Sequence, residues 1–259
     1  MKEVIKILAY ILVIAYGLVI GSFLNVCVYR IPLSQSIVYP PSNCTNCNSK
    51  LKWNDLIPVF SYIFLRGKCR YCGSKISIRY PIQELLTAII FLATYLHYGL
   101  SLYFIKFVIL FCFLIVISNI DIKFQDVYIV TTIPGIVIGT IFAVVEKYLY
   151  SASLGNYLLG AIIAGGIISI VVYSTGAMGK GDIEIALLCG IFLGWKYSLI
   201  MIVLSFVSGG IIGVMLIVFK IKGRKDYIAF GPYLALGTLL VIFFGNNILN
   251  WYLQLFFSN

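Results

Sequence analysis

Long apolar runs recur through this 259-residue chain, and its charged residues fall mostly in the gaps between them. About twenty apolar residues form a helix long enough to cross the hydrocarbon core of a bilayer. With 61% of residues hydrophobic and 11% charged, the chain is too apolar to solvate itself as a soluble globular domain. Lipid offers no hydrogen-bond partner to bare backbone, so the runs are expected to be helices in an all-α polytopic membrane protein. The expected spans are 4–29, 81–98, 102–120, 128–145, 156–174, 183–195, 198–219 and 229–245, eight in all. The sixth is short and shares Trp195 and Lys196 with a tight turn, which leaves seven spans plus a re-entrant piece as the alternative. The first run, Val4 to Tyr29, is too long for a signal-peptide core and lacks a small-residue cleavage site, so it is expected to remain as a membrane helix. The tail from Asn246, with Trp251, Tyr252, Phe256 and Phe257, reads as an interfacial anchor.

The net charge of +10 is distributed by topology. The loops after the first, third, fifth and seventh spans hold Arg30, Lys50, Lys52, Arg66, Lys68, Arg70, Lys75, Arg79, Lys123, Lys180, Lys220, Lys222, Arg224 and Lys225, fourteen of the nineteen basic residues. The positive-inside bias makes those loops cytoplasmic and both termini outward-facing. Lys2, Lys6, Lys106, Lys147 and Lys196 fall elsewhere. Topology accounts for the basic excess, so the expected surroundings are membrane lipid, with no nucleic-acid partner.

Residues 30–80 form the one sizeable segment outside the expected spans, and Cys44, Cys47, Cys69 and Cys72 lie in it as two CxxC pairs separated by 21 residues. That is the spacing of a four-cysteine zinc ribbon, in which each tight turn aims two sulfurs at one ion. Asn48 and Gly73, directly after the pairs, tolerate the left-handed backbone of such knuckles. Two disulfides or a redox CxxC are the competing readings. A cytoplasmic loop keeps its thiols reduced, and four thiolates would close a structural site rather than a catalytic one. Cys27, Cys112 and Cys189 sit in apolar runs as small buried hydrophobes, and His97 reads as an interfacial residue.

Nine acidic residues remain to be placed. Glu3, Asp55, Glu146 and Asp226 lie in polar flanks or loops and call for no special account; Glu84, Asp121, Asp126, Asp182 and Glu184 lie near expected cytoplasmic helix ends. A carboxylate at the bilayer centre costs about 2.5–3.5 kcal/mol, less toward the interface, so such groups carry a presumption of function. Asp182 closes Gly179-Lys180-Gly181-Asp182, a turn whose glycines permit close backbone approach. Alone it reads equally as a helix N-cap, and Asp121 beside Lys123 as a surface ion pair. Together, with no histidine, metal cluster or serine motif at that face, the two aspartates are the minimum equipment of an aspartic peptidase. Two close carboxyls share one proton, so that a water between them is deprotonated by one while the other protonates the scissile carbonyl.

The residues resemble the bacterial type IV prepilin peptidases, or leader peptidase/N-methyltransferases, of the GxGD aspartic class. The resemblance is carried by GLVIGSFLNVCVYRIP at 17–32, by the region 44–87 with LIPVFSYIFLRGKCRYC at 56–72 and KISIRYPIQELLTA at 75–88, by Asp121 and its loop, and by GKGD at 179–182. It implies Asp121 and Asp182 as the catalytic pair. It also implies a bacterial inner-membrane location and a pilin-like precursor as substrate, with a short basic leader and a hydrophobic helix cut at the cytoplasmic face. It further implies methylation of the new N-terminus from S-adenosylmethionine, an activity that no nucleotide-binding motif here indicates. Where many members carry Ile-Pro-Asp or Ile-Pro-Asn after the first aspartate, this chain has Val127-Tyr128-Ile129, and Asp126 competes for the first role. Where many carry lysine two residues after the second, this chain has Glu184, a third carboxylate. Glu84 reads either as facing the methylation site or as a first-turn residue favoured by the helix dipole.

The expected division is a first membrane helix at 1–29, a zinc-ribbon-like, methylation-associated loop at 30–80 and a transmembrane peptidase domain at 81–259. A transporter using the same aspartates, or a non-enzymatic pilus-assembly scaffold, are the readings from other functional classes. Transporters place such carboxylates at the midplane of repeated halves, and neither feature is legible here.

Overall fold

The computed structural model describes residues 2–176, 178–221, 223 and 228–257. Lys222, Arg224, Lys225, Asp226 and Ser258 lie outside the described residues, as do the side chains of Lys2, Phe256 and Phe257. Among the described residues the regular structure is helical apart from two isolated β-bridges. The helices are α1 (Lys2–Arg30), α2 (Phe60–Phe64), α3 (Arg79–Tyr98), α4 (Leu102–Phe124), α5 (Ile129–Tyr150), α6 (Leu154–Thr175), α7 (Gly181–Leu193), α8 (Trp195–Val218) and α9 (Gly231–Phe257).

Each expected span appears as a helix, α1 and α3 to α9, and six of these are long and apolar enough to cross a membrane. The other two are α3, which carries Arg79, Gln83 and Glu84 in its first turns, and α7. At 13 residues, α7 is about 20 Å long against a hydrocarbon thickness of about 30 Å. Gly194, at φ 77°, breaks the chain between α7 and α8, so Trp195 opens α8 instead of closing the helix before it.

Three expectations are corrected. The last expected span does not stop at residue 245: α9 runs on to Phe257 and takes in the tail from Asn246, whose Oδ1 accepts from the Tyr197 hydroxyl. Glu146 does need an account, because α5 continues past residue 145 and holds it fully buried, where its carboxylate accepts from Tyr157 Oη of α6. The third expected span does not stop at residue 120: α4 runs on to Phe124 and holds Asp121 in its last turn, near the helix end as expected.

The chain forms two compact units, Met1–Val108 and Ile109–Asn259. In the first, α1 lies directly on α3. A methyl on Gly17 would stand 2.6 Å from the Ala88 Cα, and one on Gly21 would stand 2.8 Å from the Glu84 Cα. Small residues four apart thus bring two backbones together, the way membrane helices gain dispersion contacts where lipid gives no hydrophobic drive. In the second unit α6 and α7 cross at Gly160 and Gly190 with the same logic. There α4 and α9 stack Phe111 on Phe243, and Ile168, Ile185, Leu188, Met201 and Leu234 are fully buried.

Candidate active site and metal centre

The metal centre is built from two matching turns. Cys44 N–H donates to Ser49 O at 3.0 Å and Asn48 N–H to Cys44 O at 2.8 Å; Cys69 N–H donates to Ser74 O at 2.8 Å and Gly73 N–H to Cys69 O at 3.0 Å. The bridges Asn43–Lys50 and Lys68–Lys75 close the two knuckles. Asn48 and Gly73 take the expected left-handed backbone, with φ of 56° and 70°. The four Sγ atoms lie within 4.8 Å of one another, and those of Cys44 and Cys72 are 3.9 Å apart. A tetrahedron with metal–sulfur bonds of about 2.3 Å has sulfur–sulfur edges of about 3.8 Å, so the cluster fits a metal ion such as zinc.

Thiolates are favoured at two of the ligands. The Ser74 hydroxyl and then its N–H, with Asn46, bring the Cys72 thiol down to about 6, and the backbone N–H groups of Cys47 and Asn46 hold Cys44 below the ordinary thiol range. Cys27 and Cys189 are buried, as expected of small hydrophobes, whereas Cys112 is only half-buried. Asp55, which had seemed an ordinary loop residue, ties the segment together. It accepts from Arg70 Nε at 2.7 Å, Tyr71 Oη at 3.1 Å and Lys52 N–H at 3.1 Å. Burial alone would raise its carboxyl, but these donors hold it below the usual carboxylate range.

The second unit gathers the carboxylates. Asp121, in the last turn of α4, is 4% exposed, and Asp182, the second residue of α7, is 3% exposed. Oδ2 of Asp121 accepts the Gly231 N–H at 2.9 Å, so the positive end of α9 faces this carboxylate. A methyl on Gly231 would stand 2.6 Å from that oxygen and 2.9 Å from Ile185 Cδ1. Ile185 lies three residues after Asp182, on the same face of α7. Gly231 is therefore the point at which the end of α4 meets the face of α7, and the Asp121 charge acts on Asp182.

The Gly179–Asp182 turn is held in place from two sides. Asp182 Oδ2 accepts the Gly179 N–H at 3.0 Å, reaching back out of the helix; the N-cap position belongs to Lys180, which makes no side-chain cap bond. Gly181 lies against the segment after α4, where a methyl would stand 2.5 Å from Val127 Cβ. Both neighbouring carboxylates are turned to other partners. Asp126 is exposed and takes the adjacent Val127 N–H at 2.9 Å, although its charge reaches Asp121. Glu184 Oε2 accepts from Thr132 Oγ1 of α5 at 2.6 Å. Gly231 escaped the sequence reading; its signal is Phe230-Gly231-Pro232 at the start of the last span, a bare N–H followed by the proline that helix first turns accept.

Residues 15–98 match the Bacterial Peptidase A24 N-terminal domain, and residues 108–214 match the Type IV leader peptidase family. Curated relatives named prepilin leader peptidase/N-methyltransferase align along nearly the whole chain. The Bacillus subtilis protein is 30% identical over 246 residues, covering 93% of this chain and 96% of the relative. The one from Xanthomonas campestris pv. campestris is 33% identical over 269 residues, covering 92% of each. The Aeromonas hydrophila protein is 30% identical over 280 residues, covering 96% of this chain and 95% of the relative. No solved structure matches the chain.

Proposed function

The chain belongs to the type IV leader peptidase family, the prepilin leader peptidase/N-methyltransferases, and on that premise we propose that it cuts pilin-like precursors with Asp121 and Asp182. The observation that carries the proposal is that two buried aspartates stand at the ends of helices that meet at Gly231, which donates to Asp121 and packs against Ile185, one turn after Asp182. Two carboxyls held this way keep one proton between them, because close like charges do not both ionise. The ionised member takes a proton from a water placed between the pair. The protonated member donates to the scissile carbonyl oxygen, then the roles reverse as the amine leaves. Asp126 is exposed and Glu184 is bound to Thr132, and both facts support leaving them outside the pair.

The substrate in this reading is a precursor with a short basic leader and a hydrophobic helix lying in lipid, cleaved at the cytoplasmic face of the bacterial inner membrane. The excess of basic residues in the same loops supports placing the cysteine segment there. Cys44, Cys47, Cys69 and Cys72 hold one structural zinc, which stabilises residues 30–80 as the methylation-associated part of the molecule; the peptidase chemistry lies within 81–259. S-adenosylmethionine, implied by the relatives' names, supplies the methyl group for the new N-terminus. A leader-cleavage assay on membranes containing the protein tests the reading. Conversion of a pilin-like precursor to the shorter product is expected, and an intact precursor beside a properly inserted protein would favour a scaffold or transporter.

A further inference from the structure

The first compact unit encloses a cavity of about 820 Å³ between the cytoplasmic-side ends of α1 and α3 and the cysteine loop. That is the size of a pocket for a nucleoside-sized ligand. Its charged lining is Arg30, Asp55, Arg70, Lys75 and Glu84. Three of these are already engaged: Arg30 donates to the carbonyls of Ser36 at 2.9 Å and Pro40 at 2.7 Å, and Arg70 pairs with Asp55. Lys75 is exposed.

Glu84 is different. It is 8% exposed, and it accepts the Val59 N–H at 2.8 Å and a hydrogen bond from Ser22. Both donors are neutral. The ion pairs among the described residues are Lys6–Glu3 and Arg70–Asp55, so this buried carboxylate has no cationic partner among them. An unpaired buried charge is costly, and the ligand that relieves the cost is a cation. Tyr29, Tyr39, Tyr62 and Tyr80 also line the cavity, and aromatic faces attract organic onium ions.

Resting on the N-methyltransferase reading, we infer that this cavity binds S-adenosylmethionine, with the Glu84 carboxylate facing its sulfonium. Glu84 is fixed for that task from behind, because α1 lies against its Cα at Gly21. In the transfer a nitrogen–carbon bond forms at the new N-terminus as the carbon–sulfur bond breaks. Sulfur keeps the electron pair and becomes a neutral thioether, and the amine releases one proton to solvent.

The test is binding of radiolabelled S-adenosylmethionine and of S-adenosylhomocysteine, its neutral-sulfur product, to the full chain in detergent. The parent should prefer the sulfonium form by about tenfold or more, and Glu84→Gln should erase most of that preference. Ser61→Phe, which adds bulk at a lining residue outside the Glu84 hydrogen bonds, should weaken both ligands; the zinc content of each variant reports that the loop is folded. Two outcomes would overturn the assignment while leaving methylation by the parent standing: both variants binding both ligands as the parent does, or Glu84→Gln weakening the two ligands equally. A parent that neither binds the donor nor methylates would remove the N-methyltransferase reading itself, and the assignment with it.

Discussion

The Gly231 N–H donates to the Asp121 carboxylate at 2.9 Å, across 110 residues of sequence, and leaves no room for a side chain at position 231. A β-carbon there would stand 2.6 Å from the carboxylate oxygen, so Gly231→Ala must displace either α9 or Asp121. Displacements of about 1 Å at reacting groups cost on the order of 10²-fold in rate. Leader cleavage by Gly231→Ala is therefore expected to fall by about that factor while membrane insertion and zinc content stay at parental levels. Parental cleavage rates in this variant would mean that the Asp121 contact is incidental to the chemistry.

Much of this arrangement was legible beforehand, for definable reasons. Apolar run length fixes membrane helices almost by itself, because lipid forbids unpaired backbone, and the CxxC spacing fixes which sulfurs can meet. Both patterns are local. The contact between Asp121 and Gly231 is not, and a single glycine at a helix start carries little signal until the fold places it. Helix ends were placed where apolar runs stop, so Asp121 and Glu146 were expected just outside helices that in fact continue past them. The extension of α9 was missed for the same reason, since Asn246 and Asn247 interrupt the apolar run but do not break a helix.

The four-cysteine cluster predicts about one zinc per chain, measured by metal mass spectrometry on the purified protein. Cys44→Ser should lower that content well below stoichiometric and make residues 30–80 more susceptible to proteolysis, because metal binding is folding energy for such a loop. A metal-free preparation with four reduced thiols and normal resistance to proteolysis would count against the centre.

The distribution of basic residues predicts which engineered cysteines a membrane-impermeant thiol reagent reaches from outside. Ser151→Cys, in the turn between α5 and α6, should label. Ser49→Cys and Gln125→Cys should be protected until the membrane is permeabilised. Outside labelling at Gln125 would put the end of α4 on the wrong face for cytoplasmic cleavage.

The central claim is that Asp121 and Asp182 act as one unit, and the direct measurement is leader cleavage by Asp121→Asn, Asp182→Asn and the double variant in membranes that contain equal amounts of inserted protein. Asparagine keeps the shape and can still accept the Gly231 or Gly179 N–H, but it cannot take or deliver the shuttled proton. Each single variant should lose on the order of 10³-fold or more, and the double should be little worse than either, as expected of residues that act together. Asp126→Asn and Glu184→Gln, on carboxylates turned to other partners, should cleave at near-parental rates. Near-parental cleavage by Asp182→Asn, or a loss that follows Asp126→Asn instead of Asp121→Asn, would contradict the account.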